Sequence, residues 1–166
     1  METVLVPCPG CGLEMPRGSA TYDGYFNASP ECWSVFGEVL AAEFQNAVLS
    51  GQVHQLTVDT YAVQHAGGPH PDKSVCVHLM GLHLALEQGI AAVEVSRRLQ
   101  RLASGTTTWP HFAPPVVRGP RTVLDVATAD SAEDHARRVG EWAAEVWAAW
   151  REHHEAVGTL AARTNT

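Results

Sequence analysis

The stretch SPECWSVFGEVLAAEFQNAVLS, residues 29–50, decides the fold class. Ser29 is suited to cap a helix, Pro30 to its first position where a missing N–H costs nothing, and Glu31 places an acid in the first turn. Trp33, Phe36, Leu40, Phe44 and Ala47 follow at steps of three and four, which gives an apolar stripe on a helix running to about Ser50-Gly51. The same period recurs downstream. A second helix is expected over 54–66, stopping at Gly67-Gly68-Pro69, and a third from Pro71-Asp72 to Gly89, apolar nearly all round as a central buried helix would be. A fourth covers 90–103 and ends at Ser104-Gly105. Asp130 or Ser131 caps a long last helix over 130–163, with Val139, Trp142, Val146, Trp150, Val157 and Leu160 as its stripe.

Around these elements lie two segments without a helical period. Residues 1–30, rich in Pro, Gly, Cys and Tyr, read as a turn-dominated knuckle with room for a hairpin but not for a core. Residues 105–128 carry Pro110, Pro114, Pro115 and Pro120 and read as a loop wrapped over the bundle, with a short strand expected at 121–126. The expectation is a mainly α single domain over 1–166: a bundle of about five helices, four of them in 31–104, with an N-terminal zinc knuckle.

The bulk composition fits. A chain of 166 residues suits one domain that buries roughly 70 % of its unfolded surface. Eleven basic against eighteen acidic residues leave a formal net charge of −7 with one lysine, Lys73, so no basic face is expected for nucleic acid. Arg97, Arg98 and Arg101 form the densest positive cluster and read as a solvated helix face. The opening METVLVPCPGCGLEM has no basic and apolar regions of a secretory signal. The apolar uncharged run 74–86 falls short of the ~20 residues a membrane span needs. The expected setting is the cytoplasm, where thiols stay reduced and favour metal ligation over disulfides.

Cys8-Pro9-Gly10-Cys11-Gly12 is the most specific chemical signal in the chain. Two thiolates separated by two residues, with glycine permitting the tight turn, can both face one tetrahedral Zn²⁺. No second Cys-x-x-Cys follows, so the other ligands must come from elsewhere. Cys32 is the natural third, because the free amides at a helix start favour a thiolate; the competing role is a small core residue behind Trp33. Cys76, between Val75 and Val77, reads as core packing. A thioredoxin-like redox pair would need a helix after the motif, and Gly12 and Pro16 argue against one.

Of nine histidines, His54 and His65 share a helix face with Tyr61, within ~40° of one another at 100° per residue. Asp59 points off that stripe, toward a neighbouring helix. His78 lies in the apolar third helix, where an unpartnered imidazole is costly. Each could be a core histidine bonded to a carboxylate or carbonyl. Taken with the thiols, they point to a fourth zinc ligand, with His65 preferred for its place beside the Gly67-Gly68-Pro69 turn and His78 the near rival. His135, His153 and His154 are expected at the surface or in caps, and His70 and His111 carry no signal.

CPGCG at 8–12, NASPECW at 27–33 leading to GEVL at 37–40, HQLTVDTYAVQH at 54–65 and SVCVHL at 74–79 together resemble a bacterial family catalogued only as a domain of unknown function. The resemblance covers residues from about 5 to 156. It implies no activity, substrate or catalytic residue; Cys76 stands where the family is expected to carry alanine.

Two functions follow from the residues. The first is a zinc-binding helical protein with a closed, mainly structural site of Cys8, Cys11, Cys32 and His65, serving as an interaction or regulatory module for a protein or small-molecule partner. The second is a small metal-dependent hydrolase or transferase. There His54, His65 and His78 would hold a metal with an open position for water, Asp59 would orient or accept a proton, and Tyr61 would donate to developing charge.

Overall fold

The computed structural model describes residues 3–105 and 108–163. Within them the chain forms a short hairpin and seven α-helices. Strands β1 (Leu5–Pro7) and β2 (Glu14–Pro16) pair antiparallel, with Val6 opposite Met15. Then follow α1 (Pro30–Phe44), α2 (Ala47–Gln64), α3 (Asp72–Leu82), α4 (Ala92–Ala103), α5 (Val123–Ala127), α6 (Ala132–Ala149) and α7 (His154–Ala162). No helix of the described residues is long and apolar enough to cross a membrane.

The start of α1 is as read: Ser29 caps it, accepting from the Cys32 N–H at 3.1 Å, with Pro30 at the first position. Its end is not. The helix stops at Phe44, and Asn46 caps a new one through the Leu49 N–H, so α2 begins at Ala47 rather than at 54. The buried face of α1 is also rotated from the expected stripe. Cys32, Val35, Phe36, Val39 and Glu43 point inward, while Phe44 is 67 % exposed.

The hub of the bundle is α2, which packs on α1, α3, α4 and α6. Residues 59–66 are buried on every side although they include Asp59, Thr60, Gln64 and His65. The apolar α3 shares the interior but is not the central helix. It widens into a π turn at His83–Glu87 and ends at Gly89, whose φ of +63° suits glycine.

The expected strand at 121–126 is the short helix α5 instead. Thr122 and Asp125 form a reciprocal capping box, which sets helical geometry where β-branched residues alone suggest a strand. The long last helix is interrupted: α6 ends at Ala149 and a 3₁₀ turn at Arg151–His153 leads into α7. Its predicted stripe is nevertheless buried throughout, from Val139 to Leu160.

Two buried polar clusters tie the helices together. Glu43, fully buried, accepts from His54 Nδ1 at 2.8 Å, from His135 Nε2 at 3.0 Å and from the Thr57 hydroxyl, and so joins α1, α2 and α6. His135, expected at the surface, is therefore in the core. The amide of Gln64 accepts from the Trp142 indole at 3.0 Å and donates to the carbonyls of Arg121 at 2.8 Å and Arg118 at 3.2 Å. That one side chain fastens the Pro-rich loop and α6 to α2.

Candidate metal centre

The hairpin delivers the first two thiols. Between β1 and β2 the turn is closed by Cys8 N–H to Leu13 O and Gly12 N–H to Cys8 O, both 2.9 Å, with Gly12 at a φ of +78°. Gly10 is required by contact rather than by its backbone angles. A Cβ there would sit 2.4 Å from Asn27 O and 2.6 Å from the His65 ring. The knuckle thus lies flat against the residues that carry the third and fourth donors.

Cys32 sits in the first turn of α1, where the helix macrodipole favours a thiolate. His65 is the C-cap of α2. Its Nδ1–H donates to Tyr61 O at 2.7 Å, which fixes the tautomer and leaves the Nε2 lone pair facing the sulfurs. The Tyr61 ring, stacked on Phe36 at 3.8 Å and on His65 at 3.9 Å, holds the imidazole from one face.

The donor atoms of Cys8, Cys11, Cys32 and His65 all lie within 4.8 Å of one another. Two edges of the tetrahedron decide what it fits: Cys11 Sγ to Cys32 Sγ is 3.8 Å and Cys32 Sγ to His65 Nε2 is 3.4 Å. With sulfur at about 2.3 Å and nitrogen at about 2.05 Å from a tetrahedral zinc, those edges come to about 3.8 Å and about 3.6 Å. The donor set, its burial and its spacing could hold a metal ion.

Each sulfur also has its own hydrogen-bond donor. Ser29 N–H points to Cys8 Sγ at 3.4 Å, the Leu13 amide to Cys11, and the Tyr61 hydroxyl to Cys32 Sγ at 3.5 Å. These bonds favour thiolates, as the surroundings of a metal site do. Without a metal the three thiols share protons. Cys8 is held well below the ordinary thiol range because Cys11 and Cys32 both donate to it. Cys32 is pushed up by the bonds it gives to Cys11 and Cys8 and by burial. Cys11, assisted by Cys32 but opposed by Cys8 and burial, is pushed up to about 12.

The surrounding shell comes from a segment without helical period. Arg118 caps the carbonyls of Gln64 and Ala66 at 3.0 and 2.6 Å, and its half-buried guanidinium is close enough to Cys8 and Cys11 to feel their charge. Three thiolates, a neutral imidazole and a divalent ion would carry one net negative charge, which this cation would offset. His70, predicted to carry no signal, is buried and braces the backbone of the fourth donor: its Nδ1–H donates to His65 O at 3.2 Å and its Nε2 accepts from Ser74 at 2.7 Å. Burial lowers it to about 4, so it stays neutral.

The remaining candidates lie apart from the cluster. His54 bonds Glu43, and His78 Nδ1 donates to Asp59 Oδ1 at 2.7 Å, so His54 and His78 do not join His65. Among the described residues, the four-donor group is the one that meets ligand spacing. Asp59 reaches the neighbouring helix as expected, and Gln55 also donates to it at 2.9 Å, but its Oδ2 is buried without a partner. Burial pushes this carboxyl up. Cys76 is a packed core thiol whose S–H meets Pro110 O at 3.2 Å. The positive cluster on α4 is spent on Glu94, which pairs with Arg97 and Arg98.

Glu43 and Arg118 were missed in the sequence. For Glu43 a signal existed: it continues the Cys32, Phe36, Val39 face at helical spacing. Arg118, in a loop, gave none.

A family model described as a family of unknown function (DUF5946) matches residues 6–151. The chain belongs to that family. No curated protein and no solved structure matches it. The family match spans the knuckle, the four donors, the Arg118 loop and α6, so the whole centre and its bracing lie inside it.

Proposed function

We propose that this family member is a zinc-binding helical protein whose Cys8, Cys11, Cys32 and His65 centre is mainly structural, and that the protein is an interaction or regulatory module. The donor-to-donor spacing of a tetrahedral S₃N site, reached with the His65 tautomer already set, carries the proposal. When bound, zinc supplies cohesion rather than chemistry, since four protein donors leave no position for water. The donors come from the hairpin turn, the start of α1 and the end of α2, so the centre fastens a knuckle without a core of its own to the bundle. It also steadies surfaces a partner would meet. Val4, Leu5 and Tyr25 beside the knuckle, and Val116 and Val117 on the loop that Arg118 anchors, are all at least half exposed.

Metal analysis of the purified, dialysed chain tests this: about one zinc per chain is expected. Cobalt substitution should give the intense sulfur-to-metal charge-transfer bands of a three-thiolate tetrahedral site, and Cys8→Ser should lower both occupancy and melting temperature. A chain with no tightly held metal, or a cobalt spectrum of a nitrogen and oxygen site, overturns the proposal.

The catalytic alternative retains one supporting feature. Asp59 fixes His78 through Nδ1, leaving Nε2 unbonded among the described residues, as in an oriented general base. His65, however, presents its free nitrogen to the sulfurs, which separates it from that pair.

A further inference from the structure

We propose, resting on the zinc reading, that the cluster has a second, covalent state: Cys11 is the thiolate that hydroperoxides reach, and its oxidation ends in a Cys11–Cys32 disulfide that keeps the knuckle fastened to α1 once the metal has left. Access separates the four cysteines. Cys8, Cys32 and Cys76 are at most 2 % exposed, whereas Cys11 is half-buried and lines a surface groove of about 520 Å³ with Leu13, Glu14, Thr122, Leu124 and Asp125. An oxidant as small as a hydroperoxide enters that groove and meets one sulfur.

The next step is set by distance. Cys32 Sγ lies 3.8 Å from Cys11 Sγ, so closing to a disulfide of about 2.05 Å needs a shift that side-chain torsions can supply. The chemistry balances without another reagent. The Cys11 thiolate attacks the peroxide; S–O forms, O–O breaks, and the departing alkoxide takes a proton to leave as an alcohol. The Cys32 thiolate then attacks the Cys11 sulfur; S–S forms, S–O breaks, and hydroxide leaves as water after taking a second proton. Two thiolates are oxidised by two electrons and one peroxide is reduced. Zinc loses two of four donors and is released, while the link from 11 to 32 replaces the staple it provided.

Trypsin makes the outcome readable, because its sites at Arg17 and Lys73 place Cys8 and Cys11 in peptide 1–17, Cys32 in 18–73 and Cys76 in the next. The full-length chain is assayed for zinc, treated with hydrogen peroxide while a metallochromic dye follows release, blocked, digested without reductant and mapped by mass spectrometry. The expected result is a cross-link of 1–17 to 18–73 through Cys11, growing with zinc release, while Cys76 reacts at least about tenfold more slowly. Cys76→Ser should behave as the parent, and Cys11→Ser should lose the link. A disulfide inside 1–17, a link through Cys8, oxidation of Cys76 at a comparable rate, or zinc release with sulfinic acids alone overturns the proposal. The zinc assay separates the two readings: a chain that holds zinc but forms no Cys11–Cys32 link sinks this proposal and leaves the metal reading standing, whereas a chain that holds no zinc sinks both.

Discussion

Gly81 lies within α3, where replacing glycine by alanine ordinarily stabilises a helix by about 1 kcal/mol. Here the opposite is expected. An added Cβ would stand 2.2 Å from Asp59 Oδ2, 2.6 Å from Cγ and 3.0 Å from Oδ1, so its three nearest neighbours are the atoms of one carboxyl group. Asp59 cannot withdraw cheaply. It is fully buried, and moving it breaks its hydrogen bonds to His78 and Gln55, a loss of about 3 kcal/mol for a buried carboxyl that gives up two partners. The propensity gain set against that loss leaves Gly81→Ala less stable by about 2 kcal/mol. In an Asp59→Ala background all three clashing atoms are gone, and the same change should stabilise by up to about 1 kcal/mol. Urea denaturation of the four proteins at neutral pH reads this as a sign reversal, with a coupling of about 3 kcal/mol. Gly81→Ala that stabilises the parent, or four additive values, would refute the claim that Asp59 dictates the glycine.

Three further outcomes are expected. Tyr61→Phe keeps the ring stack but removes the hydroxyl that donates to Cys32 Sγ, so zinc affinity in a chelator competition should fall by about tenfold; unchanged affinity would deny that hydroxyl its role. Gln64→Leu strands the Trp142 indole and the Arg118 and Arg121 carbonyls at once, which should cost about 3 kcal/mol in a denaturant melt and make the loop at 110–121 sensitive to protease. Asp59→Asn should change the pH profile of stability. Burial raises the folded carboxyl above its ordinary 3.8, so this group's contribution to the parent's stability is fully present below that pH and is lost as pH rises through the raised value, whereas the amide does not titrate. The stability of Asp59→Asn relative to the parent should therefore increase from pH 4 to 7, and parallel profiles would contradict it.

The four donors were legible because their chemistry is local and type-specific: a Cys-x-x-Cys turn, a cysteine in a capped first helical turn, and a histidine at a helix end. The helical class was legible from period, and the stripe from Val139 to Leu160 held even across a broken helix, because Trp150 stays buried through the 3₁₀ turn. Boundaries were less so. Asn46 restarts the chain as a cap inside an unbroken apolar pattern, and the Thr122–Asp125 box converts a strand-like run into a helical turn. Glu43 illustrates the deeper limit. An acid on an apolar helix face is interpretable only once His54, Thr57 and His135 are known to meet it, and the last of these lies 92 residues away.

All four donors lie in the first 65 residues, yet the groups that brace the histidine end, Arg118 and the Trp142 anchor of Gln64, come far later in the chain. During synthesis the ligands therefore emerge from the ribosome well before their clamp. An ion captured early would be held by a half-built scaffold and exchange readily, and its residence would lengthen only as α6 docks.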